Sequence, residues 1–153
     1  MIFACCAFGA RQYSEHLKKS LGQTRGFLRL LGFMRGRVST YLDPVSRWCE
    51  DFSDEWLEKC GFVSSLRSGR TLRDAYREVE DKLSLPSDAR ELLDNFFSRT
   101  GLGYLDAEIK NIDYTAERLE RLCENMQTGL KSRTRVVKTS LYALALGIAV
   151  LVM

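Results

Sequence analysis

The chain has 153 residues, 45% of them apolar, and its 23 Lys and Arg against 20 Asp and Glu leave a net charge of +3. These figures fit one folded domain and exclude both a disordered chain and a strongly basic nucleic-acid-binding protein. Only two prolines interrupt long stretches rich in Leu, Arg, Glu and Ala, which predicts an all-α helical bundle.

A short apolar N-terminal segment, residues 1–10, carries no charged side chain. A secretory signal peptide would place positive charge before its apolar stretch, whereas the first charge here, Arg11, follows it. The segment is too short to cross a bilayer, since a spanning helix needs about 20 residues. Three interpretations remain open: the segment inserts halfway into a membrane, it packs against the C-terminal helix, or it is the remnant of a longer anchor.

From Arg11 to Tyr41 apolar residues recur every three or four positions, which predicts a long helix continuous with the N-terminal segment. The helix should end at Asp43, because the residue before Pro44 is disfavoured in the helical conformation. A helix-interior glycine costs about 0.5–1 kcal/mol relative to alanine, so glycines here indicate either a closely packed neighbouring helix or a break. Two pairs spaced by four fall inside the helix: Gly22, Gly26, Gly32 and Gly36.

Several short helices should follow. One begins at Pro44, and a second, capped by Ser53, ends at Gly61 before a polar loop over residues 64–70. Thr71 and Asp74 resemble a capping box and open a third. Its apolar face comprises Leu72, Ala75, Tyr76, Val79 and Leu83. After Pro86, with Asp88 and Glu91 as caps, a fourth helix buries Ala89, Leu92, Leu93, Phe96 and Phe97. Residues 100–103 then break the chain.

The clearest periodicity belongs to the last helix, in a stripe that steps alternately by three and four residues. We call this stripe the 102–130 seam; it comprises Leu102, Leu105, Ile109, Ile112, Ala116, Leu119, Cys123, Met126 and Leu130. The seam can face the protein's own bundle or a second copy of the chain. The other amphipathic helices favour its own bundle.

Residues 136–153 form an apolar C-terminal segment in which Lys138 is the only charge. A helix of this length reaches about 27 Å, close to the roughly 30 Å of a bilayer core, which predicts a membrane segment. Its membrane-facing side chains would include Leu141, Leu144, Ile148 and Leu151. The alternative is a helix buried in a protein core. Basic residues follow both apolar ends inward, so the positive-inside rule predicts that residues 11–135 form a cytoplasmic bundle.

No arrangement of residues indicates an enzyme, a metal site or a cofactor. His16 is the only histidine, and no glycine-rich phosphate loop is present. The five cysteines are odd in number and lack the two-residue spacing of zinc or redox motifs. Reduced and mostly buried thiols are therefore expected. The sequence predicts a non-enzymatic protein that acts through protein and membrane contacts, with no nucleic-acid partner and with homo-oligomers as an open option.

Short motifs along nearly the whole chain resemble the stage III sporulation protein AB family. They are TYLDP at 40–44, SGRTLRDAY at 68–76 and TGLGYLD at 100–106. The family's helix-ending proline matches Pro44, and its helix-start motif matches Gly69, Thr71, Leu72, Ala75 and Tyr76. The turn before its last helix matches Leu102, Gly103 and Asp106. The chain departs from the family in its shorter N-terminal segment and in Lys110, where a glutamine is usual.

The resemblance implies a bundle similar to the cytoplasmic domains of F platform proteins of type II secretion. It would sit on the mother-cell membrane of a sporulating bacterium, in the secretion-like channel complex that joins mother cell and forespore. The implied partners are the cytoplasmic ATPase, protein AA of the same stage, and other channel components. The motif residues would either contact a partner or shape the fold. A tail-anchored adaptor that dimerises through the 102–130 seam, unrelated to sporulation, is the alternative function.

Overall fold

The computed structural model describes the backbone of residues 2–40, 50–100 and 105–152, and the side chains of 12, 14–38, 50–100 and 105–130. Within these ranges the chain is helical and contains no strand, in agreement with the predicted all-α class. The helices are α1 (Ile2–Thr40), α2 (Glu55–Lys59), α3 (Phe62–Arg67), α4 (Leu72–Val79), α5 (Ser87–Arg99) and α6 (Leu105–Val152), with a 3-10 turn at Glu80–Lys82.

The long helices α1 and α6 form an antiparallel pair that runs the length of the bundle. Arg25 Nη2 donates to Gln127 Oε1 at 2.7 Å, and ten residues further along α1 Arg35 forms an ion pair with Asp113. As the residue number in α1 rises, the number of the residue that it contacts in α6 falls, so the two helices run antiparallel. The prediction of one long N-terminal helix is confirmed. The expected end at Asp43 and the short helix beginning at Pro44 lie outside the described residues.

The first of the two glycine pairs in α1, Gly22 and Gly26, marks the place where α2 crosses the helix. A Cβ atom added at Gly26 would lie 2.7 Å from Asp54 Oδ1 and 2.9 Å from Leu57 Cγ, and one at Gly22 would overlap the Trp56 ring. At Gly32 and Gly36 an added Cβ meets nothing within 4 Å. Close approach of a neighbouring helix is thus confirmed for the first pair, and α1 continues unbroken through both.

The start of α2 differs from the prediction, because Asp54 caps the helix and Ser53 does not. Asp54 Oδ1 accepts hydrogen bonds from the backbone N–H of Trp56 at 3.0 Å and of Leu57 at 3.1 Å. Ser53 Oγ instead donates to Glu58 Oε1 at 2.9 Å. Serine and aspartate are both favoured at the capping position. In the buried site under α1 the cap is Asp54, whose second carboxylate oxygen, Oδ2, lies 2.6 Å from Arg29 Nη2.

The predicted polar loop over residues 64–70 is wrong in its first half, which belongs to α3. Gly61 adopts φ 91°, a left-handed conformation that turns the chain between α2 and α3. The turn places Phe62, Val63 and Leu66 in the core while Ser64 and Arg67 stay exposed. The prediction failed because the exposed face of this short amphipathic helix is polar, which gives the segment the composition of a loop.

Helices α4 and α5 bury the faces that periodicity predicts. Thr71 Oγ1 accepts a hydrogen bond from the Asp74 N–H at 3.2 Å and donates to Asp74 Oδ2 at 2.7 Å, which confirms the capping interaction. The backbone of Pro86 precedes α5 without a side-chain cap, so Asp88 lies in the first turn and does not cap it. All five predicted face residues of α4 and its following turn are buried, as are Ala89, Leu93, Phe96 and Phe97 of α5, while Leu92 is partly buried.

An aromatic cluster forms the centre of the core. The Phe27 ring of α1 lies 5.3 Å from Phe62, 5.9 Å from Tyr76 and 6.1 Å from Phe97, in edge-to-face arrangements. Tyr76 and Phe97 stack at 4.7 Å. These geometries are the favourable ones for aromatic pairs, and they fix α1, α3, α4 and α5 against one another.

The 102–130 seam faces the protein's own bundle. Ile112, Leu119 and Cys123 are buried in the core, and Ala116 packs against it, whereas Leu105 near the start of α6 is 43% exposed. The preferred interpretation of the seam is confirmed over its central part. Dimerisation through the whole seam, as the alternative function requires, is contradicted at Ile112, Leu119 and Cys123, because these side chains are already buried within the chain.

The membrane prediction falls largely outside the side chains that the structure describes. Among those side chains, no helix combines the length and the apolar character needed to cross a bilayer. Leu141, Leu144, Ile148 and Leu151 lie in the part of α6 whose side chains are not described. The predicted boundaries at 10/11 and 135/136 both fall inside continuous helices.

Candidate partner-binding surfaces

Three of the motif residues, Gly69, Leu72 and Ala75, shape the start of α4. Gly69 adopts φ 85°, a conformation that residues other than glycine rarely take. Leu72 and Ala75 point into the core and are buried. In the fold, the glycine turns the chain and the two apolar residues anchor the helix that follows.

The second motif has a different character, because its described residues are exposed. Asp106 is the second residue of α6, where a carboxylate interacts favourably with the positive end of the helix dipole. Because α6 already includes Leu105, Asp106 lies within the first turn of the helix and is not the residue that precedes it. Lys110 follows one turn later, also exposed, so both side chains are accessible to a partner. Pro44 and Gly103 lie outside the described residues.

A groove with a volume of about 560 Å³ lies between α5 and α6. We call it the α5–α6 groove. Its floor contains Leu92, Phe96 and Leu122, which belong to or pack against the core. The α5 side is lined by Asp88, Glu91, Asn95 and Arg99. The α6 side is lined by Asn111, Tyr114, Thr115, Arg118 and Arg121.

The α6 wall of the groove is organised by interactions within that helix. Arg118 Nη1 donates to the Tyr114 hydroxyl at 2.6 Å, and its guanidinium lies 5.6 Å from the centre of the Tyr114 ring. Arg121 pairs with Glu117 at 2.5 Å. Tyr114 is 54% exposed, which is unusual for an aromatic side chain. Sequence reasoning missed this groove, although charged residues at 88, 91, 118 and 121 of two adjacent helices were a usable signal.

A smaller hollow of about 390 Å³ between α4 and α5 is lined by both charge signs, including Arg73 and Asp94. Arg73 is held there by the chain itself, because its guanidinium donates to the carbonyl oxygens of Phe97, at 3.3 Å, and Ser98. The buried Tyr76 hydroxyl beside it has no hydrogen-bond partner among the described residues. Burial, followed by the nearby Asp94 carboxylate, raises the pKa of Tyr76.

The histidine and cysteine side chains that the structure describes are His16, Cys60 and Cys123. Over the described residues, no group of three or more His, Cys, Asp or Glu side chains is placed to hold a metal ion. His16 lies exposed on α1. Cys60 and Cys123 are buried free thiols, and burial raises the pKa of each. The prediction of reduced, buried thiols is confirmed for these two, while Cys5, Cys6 and Cys49 lie outside the described side chains.

Comparison with known proteins gives one match. A family model described as stage III sporulation protein AB matches residues 1–153, the whole chain. No curated protein and no solved structure matches significantly. The family resemblance that the order of motifs suggested is therefore confirmed by an independent comparison over the full length of the chain.

Proposed function

The chain belongs to the stage III sporulation protein AB family, and we propose that it is a non-enzymatic membrane platform in the secretion-like channel complex between mother cell and forespore. In this role it fixes a cytoplasmic ATPase, protein AA of the same stage, and the channel proteins relative to the mother-cell membrane. The bundle faces the cytoplasm, and the function is mechanical.

The antiparallel pairing of α1 and α6 is the observation that carries this proposal. Because Arg25 lies beside Gln127, the N-terminal part of α1 and the C-terminal part of α6 extend in the same direction beyond this contact. The two uncharged segments of the sequence, 1–10 and 141–153, belong to these two extensions. One membrane could therefore take both ends, which is the geometry a platform needs.

The opposite end of the pair supports the mechanical part of the proposal. There α2 to α5 pack on the two long helices around the aromatic cluster, and Phe27, Phe62, Phe96 and Phe97 are almost completely buried. Protein interiors packed in this way resist deformation. A force or position imposed at the bundle would be transmitted along α1 and α6 to the apolar ends.

The first experiment measures heat-resistant spores in the strain that carries this gene. Deletion should collapse spore yield after engulfment, and the intact gene should restore it. The double substitution Leu144→Arg and Ile148→Arg should release the protein from the membrane fraction and fail to restore yield. Each arginine at mid-bilayer costs about 2.5–3.5 kcal/mol, which exceeds the roughly 2–4 kcal/mol gained by inserting the apolar segment once both are present.

Glu124→Lys provides the matched control, since Glu124 is exposed on the same helix and within the described bundle. This variant should pellet with membranes and restore spore yield. Normal spores from the deletion strain, or unchanged membrane pelleting of the double arginine variant, would count against the platform role. The alternative of an adaptor dimerising through the 102–130 seam loses support from the burial of Ile112, Leu119 and Cys123.

A further inference from the structure

We propose that the α5–α6 groove is the docking site for one amphipathic helix of a partner protein. That helix carries an apolar stripe with basic residues along one edge and acidic residues along the other. The inference rests on the proposed function, because it identifies a surface by which such a platform would hold a partner. It does not depend on which component of the complex supplies the helix.

The dimensions of the groove suit a helix of about three turns. Its α5 wall runs from Asp88 to Arg99 and its α6 wall from Asn111 to Leu122. Each wall covers an eleven-residue step, which corresponds to about 16 Å of helix rise. A third helix laid between two others packs its ridges into the groove that they leave. An extended peptide would gain less, because α5 and α6 bond their own backbones and offer no free sheet edge.

The floor of the groove calls for an apolar face on the occupant. Leu92 and Leu122 are only partly buried, although both pack against the core. Tyr114 stands at the rim with more than half of its surface exposed. Covering these three side chains would remove apolar surface from water, which is the main favourable contribution to association between helices in solution.

The walls of the groove carry opposite charges that are not paired with each other. Packed helices joined by a connection as short as residues 100–104 run antiparallel, so the Asp88–Glu91 end of α5 faces the part of α6 that contains Arg118 and Arg121. Among the described residues, the ion pairs and hydrogen bonds of these arginines stay within α6, with Glu117 and Tyr114. No described ion pair crosses the groove. The Asp88–Glu91 end of the α5 wall is thus complementary to basic side chains and the facing part of the α6 wall to acidic ones, while Arg99 places a positive charge at the other end of the α5 wall.

A second copy of the chain fits this surface less well than a separate helix. The charge pattern would be complementary between two copies, yet two concave surfaces placed face to face leave the floor around Leu92 and Leu122 uncovered. A single convex helix covers the floor and meets both walls at once. Self-association through this groove is therefore treated as a competing outcome of the experiment.

The experiment places a photoreactive amino acid, p-benzoylphenylalanine, at Tyr114 of the full-length chain in the sporulating strain. Light should link the chain to another protein, and the linked peptide should have the stated pattern of apolar, basic and acidic positions at helical spacing. The same probe at Glu120, exposed on α6 outside the groove, is the control and should not form that link. A link from Tyr114 to a second copy, or to a peptide without this pattern, would overturn the proposal.

Charge reversal tests the two walls separately. Glu91→Lys and Arg118→Glu should each weaken the Tyr114 cross-link at least about tenfold, since like charges placed opposite each other are strongly unfavourable at an interface. Glu120→Lys should leave the link unchanged. All three variants should melt within a few degrees of the parent, because Glu91, Arg118 and Glu120 are exposed. Undiminished linking in both wall variants would refute the assignment of the walls.

The spore assay separates failure of this inference from failure of the platform role. If deletion abolishes sporulation while both wall variants sporulate normally and Tyr114 forms no link, the platform stands and the groove proposal falls. If deletion leaves sporulation intact but the patterned link forms and depends on both walls, the groove proposal stands and the platform role falls. In each case the cross-link decides the groove.

Discussion

Alanine at Gly26 should destabilise the protein, whereas alanine at Gly32, six residues along the same helix, should stabilise it. The added Cβ at Gly26 would sit 2.7 Å from Asp54 Oδ1 and 2.9 Å from Leu57 Cγ. Both atoms are buried, and the Asp54 oxygen is held by two backbone hydrogen bonds at the start of α2. They can give way only if α2 moves off α1. At Gly32 no atom lies within 4 Å of the added Cβ.

The magnitudes follow from two opposing effects. Replacing a helix-interior glycine by alanine contributes about 0.5–1 kcal/mol of stability wherever space is free. Overpacking a tight contact costs about 1–3 kcal/mol. The net expectation is a loss of about 1–2 kcal/mol for Gly26→Ala and a gain of about 0.5–1 kcal/mol for Gly32→Ala. For a chain of this size the two melting temperatures should differ by roughly 5–10 °C.

Thermal unfolding followed by circular dichroism at the helical band provides the assay, with both full-length variants in the same mild detergent. Reversibility is checked by a second scan, because only then do melting temperatures report free energies. Equal melting temperatures, or a Gly26→Ala variant more stable than Gly32→Ala, would show that α2 does not press on α1 as the distances require.

Two further substitutions test buried polar groups. Burial and Asp94 raise the pKa of Tyr76 in the folded protein, so above about pH 10 the tyrosine ionises more readily in the unfolded chain and favours unfolding. The Tyr76→Phe variant should therefore lose less stability at alkaline pH than the parent protein. Urea unfolding at pH 7 and 10.5 measures this, and an identical pH dependence in both proteins would contradict it. Gln23→Leu should cost about 1–3 kcal/mol, because it removes the buried oxygen that accepts the Ser84 N–H at 2.7 Å. The control substitution Gln12→Leu, at an exposed position, should change the free energy of unfolding measured in urea by less than about 0.5 kcal/mol. Similar losses in the Gln23 and Gln12 variants would show that the buried hydrogen bond is not the cause.

Local patterns determined much of the helical structure in advance. Apolar residues at helical spacing predicted the buried faces of α4 and α5, and Thr71 with Asp74 predicted the start of α4. These predictions succeed because a helix repeats every 3.6 residues and its caps involve neighbours within three or four positions. The same regularity identified the seam of α6, and the presence of other amphipathic helices favoured its burial within the protein's own bundle, as Ile112 and Leu119 confirm.

Decisions that depend on residues far apart in the chain required the tertiary structure. Ser53 and Asp54 were equally suitable caps by type, and only the packing of α2 under α1, beside Arg29, selected Asp54. The glycines of α1 looked alike in sequence, yet Gly26 faces a neighbour and Gly32 faces open space. The α5–α6 groove likewise has no local signature. The groove forms because α5 and α6 pack beside each other, and its acidic and basic side chains face each other only in the folded protein.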